Sequence, residues 1–288
     1  MNKGKIIKEY FEKGKILVSP GAFDAMSARI IDKVGFPSVY VTGYGASANL
    51  LGKPDIGLLG MKEMVDHVGR ISDAVEGAVI ADADTGYGNA LNVMRTVREY
   101  EKAGADAIQL EDQTWPKRCG HMEGKQIIPA EEMVQKIKAA VDARRSEDTL
   151  IIARTDAIAV EGYNEAIRRA ELCYEAGADI LFVEAPEDSD QLAQIPQSIE
   201  GAPFMANMIE GGKTPVKSFG ELEDMGYSLV IYPLSTLYIM TKAVKDLMDE
   251  MMRKDTPQGK VDEMASFSEF NEIVGLKEIR ETEEKYIK

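Results

Sequence analysis

Short apolar runs recur along the chain and alternate with longer stretches in which apolar and polar residues follow a helical period. Eight of the runs are rich in β-branched residues and short enough to be strands. None of them alternates cleanly between apolar and polar residues, which is typical of parallel strands covered on both faces. The predicted strands are Lys15–Ser19, Ser38–Thr42, Ala78–Ala81, Ala107–Glu111, Leu150–Ala153, Ile180–Glu184, Phe204–Asn207 and Leu229–Tyr232.

The amphipathic stretches predict the helices that connect these strands. Several end near a glycine, such as Gly104 or Gly226, that can adopt the left-handed conformation closing a helix. Repeated strand–helix units imply right-handed crossovers, and eight units imply a closed (β/α)8 TIM barrel. An open doubly wound sheet is the alternative, but no GxGxxG motif opens a first helix. The predicted helices are Leu91–Ala103, Ala130–Arg144, Asn164–Ala176, Lys217–Met225 and Tyr238–Met252.

The length of the chain fits one such barrel. The 288 residues are 44% hydrophobic, and an α/β barrel commonly fills about 250 residues as one domain. We therefore predict a single α/β barrel domain over residues 1–288, with residues 239–288 as a helical C-terminal extension. Such an extension usually packs on its own barrel or on a neighbouring subunit.

The formal charge of −15 narrows the range of partners. A strongly acidic protein lacks the basic surface that binds phosphate backbones or anionic membranes, so we predict no nucleic acid and no membrane partner. No stretch approaches the ~18 apolar residues of a membrane span. Two cysteines are too few for a disulfide framework. These features predict a soluble, cytoplasmic protein that binds a small anion through a local basic pocket or a metal ion.

The functional residues of a (β/α)8 barrel gather where the strands end and in the loops that follow. Asp82 and Asp84 follow the third predicted strand, and their spacing places both side chains on one face. Alone, this pair could equally cap a glycine-rich turn. Glu111 ends the neighbouring strand, and three adjacent carboxylates repel one another unless a cation or protons intervene. Oxygen ligands without histidine favour Mg²⁺ or Mn²⁺ over zinc.

The loop after the fourth predicted strand contains Lys117-Arg118-Cys119-Gly120-His121. Cationic neighbours lower the pKa of a cysteine thiol and make it reactive. Cys173, in contrast, lies on the apolar face of a predicted helix and is interpreted as packing. The other interpretation of the loop is a solvated basic turn with an incidental cysteine. Its position after a strand end favours a mobile functional loop.

Three further features have both a functional and a structural interpretation. Arg154 at a strand end could clamp a carboxylate with two hydrogen bonds, or pair with an acidic neighbour. Gly43, Gly45 and Ala46 could bring backbone N–H groups close to an anion, or form a tight turn. His67 lies on a predicted helix away from these loops and is interpreted as a structural histidine.

Four segments together resemble the isocitrate lyase/phosphoenolpyruvate mutase superfamily. They are SPGAFDAMSARI (Ser19–Ile30), DADTGYGN (Asp82–Asn89), LEDQ (Leu110–Gln113) and PKRCGH (Pro116–His121). The resemblance extends from about Lys15 to Tyr238. PKRCGH after an EDQ strand end is specific for the lyase branch, because the mutase branch lacks this cysteine. The resemblance implies a Mg²⁺-dependent enzyme that cleaves a carbon–carbon bond of a 2-hydroxy dicarboxylate.

The resemblance also implies roles for individual residues. Asp84 would bind Mg²⁺ directly, and Asp55, Asp82 and Glu111 would hold its water shell. Cys119, poised by Lys117 and His121, would donate a proton to the departing carbanion, and Tyr44 is the candidate base for the hydroxyl proton. The residues that would hold the substrate and close over it are Thr42, Gly43, Tyr44, Gly120, His121, Arg154, Glu184 and Asn207.

The choice of substrate depends on cations that this sequence lacks. Methylisocitrate lyases that resemble the chain carry arginines near the positions of Tyr238 and Phe267. A third carboxylate buried without a cation would cost several kcal/mol. We therefore predict a dicarboxylate with alkyl groups, best (2R,3S)-2,3-dimethylmalate, cleaved to propionate and pyruvate.

Other activities and the assembly state complete the set of predictions. 2-Methylisocitrate cleavage is the main alternative, followed by hydrolysis or decarboxylation of oxaloacetate. A non-catalytic barrel is disfavoured, because such a descendant should have lost some of the site residues. The resemblance also implies a homotetramer whose terminal helices swap between subunits.

Overall fold

The structure is a computed structural model that describes residues 3–120, 122, 124–212 and 214–287. Its centre is a closed barrel in which eight parallel strands pair in sequence order and the last strand pairs with the first. The predicted (β/α)8 barrel is therefore confirmed. The strands are β1 (Leu17–Ala22), β2 (Ser38–Val41), β3 (Ala78–Asp82), β4 (Ala107–Glu111), β5 (Leu150–Thr155), β6 (Ile180–Val183), β7 (Phe204–Asn207) and β8 (Leu229–Tyr232).

Helices surround the barrel and follow the strands in the order that the sequence predicts. The helices are α1 (Gly4–Glu12), α2 (Ala25–Val34), α3 (Gly43–Leu51), α4 (Met61–Ser72), α5 (Ala90–Ala103), α6 (Ala130–Ala143), α7 (Ile158–Glu161), α8 (Tyr163–Glu175), α9 (Ser189–Gln194), α10 (Phe219–Met225), α11 (Ser235–Lys254), α12 (Phe267–Ile273) and α13 (Leu276–Tyr286). Short 3₁₀ turns lie at Ile195–Gln197 and Gln258–Glu263. Every predicted helix overlaps an observed one, with small differences at the ends.

The largest difference in a strand is at β1, which continues three residues beyond its predicted end at Ser19. A Pro-Gly pair is typical of a turn, but Pro20 pairs with Tyr232 and Gly21 pairs with Tyr40 inside the barrel. A side chain at Gly21 would place its Cβ 2.2 Å from the Pro233 carbonyl oxygen. The glycine therefore allows a close approach of two backbones rather than a turn.

Each strand buries both of its faces. Alternate residues such as Ile80, Ile152 and Leu229 fill the inside of the barrel, and helix α1 closes one end of it with Ile7. Their neighbours, such as Val79 and Val230, pack outward against the helices. Burial of an aliphatic side chain of this size contributes about 1.5–3 kcal/mol, so both apolar layers stabilise the barrel. This two-sided burial explains why the strands lack apolar/polar alternation.

The inward positions change from apolar to charged toward the C-terminal ends of the strands. Asp82 follows Ile80 by two residues, and Arg154 follows Ile152 by two. Because strand side chains alternate with a period of two, both charged groups point to the same inner face as the aliphatic layer. The alternation that builds the core therefore also delivers charged groups to one end of the barrel.

The C-terminal helices leave apolar side chains exposed on a single chain. On α11, Ile239 is 68% exposed and Met252 is 89% exposed. A separate apolar groove lies between α2 and α10, where Val34 is 72% and Phe219 is 54% exposed. Helix α12 contacts α2. Within the part of the chain that the structure describes, no helix is long and apolar enough to cross a membrane.

Candidate active site

A cavity opens at the C-terminal end of the barrel. It contains most of the residues that the sequence selects for the site, brought together from six of the eight strand ends and from the loop after β4. The lining residues are Tyr40, Thr42, Tyr44, Asp55, Asp82, Lys117, Cys119, Gly120, Arg154, Glu184, Asn207, Ile209, Ile231, Pro233 and Leu234. His121, which was also selected, lies outside the described residues.

The segment after β2 forms the start of helix α3 rather than a tight turn. Thr42 caps this helix, because its Oγ1 accepts a hydrogen bond from the Gly45 N–H at 3.2 Å. A side chain at Gly43 would place its Cβ 2.8 Å from Asp82 Oδ2. The tight-turn interpretation is therefore wrong, and Gly43 at the start of α3 lies beside the buried Asp82 carboxylate. A helix N-terminus in this position favours bound anions.

Lys117 occupies the centre of the acidic side of the cavity. Its Nζ lies 2.6 Å from Asp55 Oδ2 and 2.8 Å from Asp84 Oδ1. The side chain is only 3% exposed, so the ammonium group points inward. Burial alone would lower the pKa of Lys117, but Asp84, Asp55 and neighbouring carboxylates raise it well above its usual value. The lysine is therefore held in its charged form.

The carboxylates near Lys117 outnumber the cations that face them. Burial raises the pKa of Asp82, and the negative charge of Asp84 raises it further. Burial also raises the pKa of Asp84, with Lys117 acting against the change, and it raises the pKa of Glu111 well above its usual range. These directions describe a site with more negative charge than its own cations neutralise.

The residue types on this side fit a divalent cation. Glu111 Oε1 is buried and has no hydrogen-bond partner among the described residues, and carboxylate oxygens are the donors that Mg²⁺ prefers. In the described part of the chain, no group of three or more His, Cys, Asp or Glu side chains converges on one metal position. The Lys117 ammonium instead bridges Asp55 and Asp84. The assignment of Asp84, Asp82, Asp55 and Glu111 as metal ligands stays a prediction.

Arg154 lies opposite Lys117 and is held by several carboxylates. Its Nε and terminal nitrogen donate to Asp156 at 2.9 and 3.1 Å. Glu111 lies 3.4 Å away and Glu184 3.7 Å away. The guanidinium also lies over the Phe182 ring, 5.1 Å from its centre. The arginine is fixed in orientation, which suits a planar group that clamps a carboxylate.

Glu184 and Asn207 form the next part of the cavity wall. The Asn207 amide nitrogen donates to the two Glu184 carboxylate oxygens at 3.3 and 3.1 Å. The two residues extend from neighbouring strands, β6 and β7, so their side chains meet at the mouth of the barrel. They lie where the sequence places them, and their role toward a substrate stays a prediction.

The loop after β4 folds over the cavity from a narrow base. Gln113 and Ile127 form an isolated bridge at this base. Gln113 then holds the backbone of Arg118, accepting from its N–H at 3.0 Å and donating to its carbonyl at 2.8 Å. Lys117 is buried, Arg118 is exposed and Cys119 is half-buried. The side chains of this loop therefore alternate between the cavity and the solvent.

Gly120 is the point at which this loop meets the barrel. A Cβ there would lie 2.1 Å from Glu184 Oε1 and 2.5 Å from an Arg154 nitrogen. Only a residue without a side chain allows the loop backbone to approach the strand ends so closely. The Cys119 thiol is thereby brought to the cavity, as the sequence predicts.

The remaining wall of the cavity is apolar. It is formed by Ile209, Ile231, Pro233 and Leu234, from the ends of β7 and β8. Tyr238 lies near Tyr44 and Cys119, and burial together with Tyr44 raises its pKa to about 12. Phe267, by contrast, is 86% exposed and does not line the cavity of its own chain.

Two residues interpreted as structural lie away from the cavity. His67 is 2% exposed, on α4, and burial lowers its pKa. Cys173 is 4% exposed, on α8, and burial raises its pKa to about 12. Both structural interpretations agree with this burial.

Several residues at the site were not selected from the sequence. Tyr40 donates to Gln109 at 3.0 Å, and Gln109 donates to Asp82 at 3.3 Å, so a polar layer supports the carboxylates from below. Lys125 and Asp156 form a buried ion pair of 2.9 Å behind the loop. Gln109 lies at an inward position of β4, and polarity at that position was the available signal. The pair of Lys125 and Asp156 had no such signal in the sequence, because it joins residues from separate loops.

The sequence also matches known proteins over nearly its whole length. The family described as phosphoenolpyruvate phosphomutase matches residues 7–252. A 2,3-dimethylmalate lyase of Eubacterium barkeri is 52% identical over 286 residues, which cover 99% of each chain. A 2-methylisocitrate lyase of Aeropyrum pernix is 43% identical over 94% of this chain and 87% of the relative.

Solved structures agree with these matches. The crystal structure of a 2,3-dimethylmalate lyase aligns with a TM-score of 0.93 at 33% identity, over 99% of this chain and 95% of the other. An oxaloacetate acetylhydrolase bound to 3,3-difluorooxalacetate aligns with a TM-score of 0.94 at 32% identity, over 99% and 97% of the two chains. A phosphonopyruvate hydrolase complex with oxalate and Mg²⁺ has a TM-score of 0.90 at 29% identity, over all of both chains.

The fold, the cavity and these matches define a class of enzyme. The chain belongs to the phosphoenolpyruvate mutase/isocitrate lyase superfamily, and the resemblance seen in its motifs is confirmed. Within that superfamily it is a carbon–carbon lyase, since its relatives include named lyases over its full length.

Proposed function

We propose that the protein is a Mg²⁺-dependent lyase that cleaves (2R,3S)-2,3-dimethylmalate to propionate and pyruvate. The observation that carries the proposal is the composition of the cavity. Among the described residues that line it, Lys117 and Arg154 are the cations, and one wall is aliphatic. The Arg154 guanidinium can pair with a substrate carboxylate, and the aliphatic wall matches methyl groups. The 52% identity to a 2,3-dimethylmalate lyase supports the same choice.

The substrate would bind with its 2-hydroxy carboxylate against Arg154 and the first N–H groups of α3, near Thr42, Gly43 and Tyr44. These groups supply a bidentate donor and a helix N-terminus, both of which favour a carboxylate. The two methyl groups would pack against the wall that includes Ile231 and Leu234. Glu184 and Asn207 would line the region of the second carboxylate, with Gly120 and His121 closing over it.

The residues of the chain would perform the two proton transfers. Tyr44 would remove the C2 hydroxyl proton, the C2–C3 bond would break, and a carbonyl would form at C2 to give pyruvate. The electron pair of that bond would remain on C3, where Cys119 would deliver the thiol proton and complete propionate. One proton is taken and one is given, so Tyr44 returns its proton to Cys119 before the next turnover. The closed loop would exclude water from the carbanion.

The divalent cation would be held by Asp84, with Asp82, Asp55 and Glu111 around it. When bound, it supplies positive charge that stabilises negative charge developing on the substrate oxygen. It would also neutralise the excess of buried carboxylates. Mn²⁺ offers the same preference for oxygen donors and is expected to substitute.

A substrate panel tests the proposal. Purified protein with MgCl₂ would receive 2,3-dimethylmalate, 2-methylmalate, 2-methylisocitrate and oxaloacetate, with pyruvate or oxalate measured. We expect the highest kcat/KM for 2,3-dimethylmalate and loss of activity on chelation. Faster turnover of 2-methylisocitrate would assign the activity of the Aeropyrum pernix relative instead. Faster hydrolysis of oxaloacetate would assign that of the acetylhydrolase.

The role of the thiol is tested in the same assay. General acid catalysis contributes about 10²–10⁴-fold, so Cys119→Ser should lower kcat by about that factor while the protein stays folded. Cys173→Ala is the matched control, because this second cysteine is buried on α8 away from the cavity. Nearly full activity of Cys119→Ser would remove the proposed acid.

The exposed apolar surfaces support a homotetramer in which the terminal helices swap between subunits. The apolar residues of α11 and the groove between α2 and α10 are both uncovered on one chain. Exposed apolar surfaces of this kind are typical of subunit interfaces. We expect one folding domain over residues 1–288, with the helical extension of residues 239–288 exchanged between subunits and about four chains per particle by light scattering. We also propose a cytoplasmic location, because two cysteines are too few for a disulfide framework.

A further inference from the structure

Lys125 lies at the end of the loop that carries Cys119 and points back into the protein. Its side chain is 1% exposed. The Nζ donates to the Gly120 carbonyl oxygen and, at 2.9 Å, to Asp156 Oδ1. One ammonium group thus ties the middle of the loop to a residue that follows β5. The roles assigned above to the active-site residues do not use this lysine.

Asp156 connects the same lysine to Arg154. Its Oδ1 accepts from an Arg154 terminal nitrogen at 3.1 Å, and its Oδ2 accepts from Arg154 Nε at 2.9 Å. The position of Asp156 is fixed in turn, because its backbone N–H donates to Asp112 Oδ1 at 2.9 Å. A single buried carboxylate therefore contacts both the lysine that holds the loop and the guanidinium of Arg154.

The energetic cost of burying Lys125 argues for a role beyond packing. A buried lysine is costly unless it is paired, and aliphatic residues of similar volume commonly stabilise a fold as well or better. The loop also has a neutral attachment at Gln113, which holds Arg118 by two backbone hydrogen bonds. The charged attachment is at Gly120, the point where the loop meets Arg154 and Glu184.

We propose that Lys125 is a positioning residue for the lyase reaction. Lys125 Nζ donates to both the Gly120 carbonyl and Asp156, and Asp156 also orients Arg154. The loop that carries Cys119 and the Arg154 guanidinium are therefore both held through Asp156. The acid and the carboxylate clamp are thereby kept in register. The catalytic consequence rests on the proposed function, whereas the attachment of the loop does not.

Three variants isolate this role. Lys125→Met keeps most of the side-chain volume but removes the charge and the donor. Lys125→Arg keeps both and should restore wild-type behaviour. Lys8→Met is the matched control, since Lys8 Nζ also donates to one carbonyl, that of Glu147, and one carboxylate, that of Asp148, far from the loop. If Lys125→Met fails to fold, Lys125→Gln replaces it and should show the same losses.

The first readout needs neither metal nor substrate. Arg118 is an exposed trypsin site on the loop, and its cleavage yields fragments that mass spectrometry identifies. Without its charged attachment the loop should open more often, and cleavage tracks the open population. We expect cleavage after Arg118 about tenfold faster in Lys125→Met than in wild type, Lys125→Arg or Lys8→Met.

The second readout follows the closed state. Trp115 is the single tryptophan of the chain and lies on this loop, 5.8 Å from the Tyr87 ring. Titration with oxalate and MgCl₂ should change its fluorescence in wild type and change it less in Lys125→Met. With 2,3-dimethylmalate, kcat should fall about 10²-fold while KM changes less than about threefold, because misplacement by about 1 Å affects the transition state most.

The outcomes distinguish the proposed role of Lys125 from the proposed lyase function. Faster cleavage, a smaller Trp115 signal and a fall in kcat, all restored by Lys125→Arg, support the proposal. Wild-type cleavage and fluorescence in Lys125→Met overturn it, whatever substrate the enzyme uses. Faster cleavage with unchanged kcat also overturns it, because the lysine would then serve only the stability of the loop. If no substrate of the panel is cleaved, the proposed function fails while trypsin and Trp115 still decide the attachment.

Discussion

Two halves of the cavity floor are equally buried but opposite in charge balance. On the half around Lys117, the carboxyl groups of Asp82, Asp84 and Glu111 have raised pKa values, first because of burial. On the half around Arg154, burial alone would raise the pKa of Asp156, but Arg154 and Lys125 hold it below its usual range. We refer to these as the acidic half and the paired half.

The difference shows in which half the buried charges are balanced without a bound ligand. In the paired half, Arg154 and Lys125 both meet the Asp156 carboxylate, so the arrangement holds the Arg154 guanidinium in position without a bound ion. In the acidic half, one ammonium group faces several carboxylates, so a further cation would relieve the repulsion. Groups with perturbed pKa values that gather in a cleft are characteristic of functional sites. We therefore expect positioning and carboxylate binding in the paired half and metal binding in the acidic half.

The strongest test compares one amide substitution in each half. Asp84→Asn should lower kcat by about 10³-fold or more, since it removes the residue proposed to bind the metal directly. It should leave the stability of the metal-free protein within about 1 kcal/mol, because it also removes surplus negative charge. Asp156→Asn should cost about 3–5 kcal/mol of unfolding free energy, since it leaves two buried cations poorly paired.

Urea unfolding in EDTA and the pyruvate assay measure both quantities. Asp179→Asn is a control for the substitution itself, because Asp179 pairs with Arg144 outside the cavity and is partly exposed. Equal destabilisation by Asp84→Asn and Asp156→Asn would contradict the distinction between the halves.

The second test changes the position of the loop at Gly120 without changing a charged group in either half. Gly120→Ala would place a methyl group within 2.1 Å of Glu184 and 2.5 Å of Arg154, so the loop cannot rest where it does. We expect kcat to fall about 10²-fold with little change in the thermal midpoint, because misplacement of the acid is costly. Gly220→Ala is the control, since no atom lies within 4 Å of its Cβ and the site is on helix α10. That variant should be neutral or stabilising by up to about 1 kcal/mol.

The smallest expected effect is a pH dependence of stability. A carboxyl group with a raised pKa binds more protons in the native state, so its contribution is full below the ordinary pKa and is lost as pH rises through the raised value. Metal-free protein should therefore lose stability from the ordinary values of 3.8 for Asp82 and Asp84 and 4.5 for Glu111 upward through the raised ones. Asp156 has the opposite sign and matters only in strong acid.

Scanning calorimetry with and without MgCl₂ checks this pH dependence. Saturating Mg²⁺ should raise Tm by about 5 °C at pH 7.5 and by less than about 2 °C at pH 5, where protons compete for the carboxylates. An equal increase at both pH values would mean that the ion binds elsewhere.

The fold followed from the sequence because its signals are local. Apolar runs and helix-closing glycines repeat along the chain, and the strand count then fixed the closed barrel. Helix α3 was missed as a helix, because Gly43 and Gly45 are poor helix formers and its start depends on the Thr42 cap and on close packing against Asp82. The extension of β1 through Pro20 was missed for a similar reason, since tertiary pairing overrides a turn signal.

The site residues at strand ends were predictable from the sequence. The contacts formed where two loops meet were not. Asp82, Glu111 and Arg154 follow from the period of two along buried strands. The partners of Lys117 do not, because its pair with Asp55 joins residues 62 positions apart. The pair of Lys125 and Asp156 is likewise a product of loop closure, and no spacing in the sequence encodes it.

Calorimetric titration of chelator-treated protein with MgCl₂ at pH 7.5 tests most directly whether the acidic half binds a divalent cation. We predict one ion per chain with release of protons in the wild-type protein, and no measurable binding in Asp84→Asn. Absence of binding in the wild type, or equal binding in both proteins, would contradict the assignment.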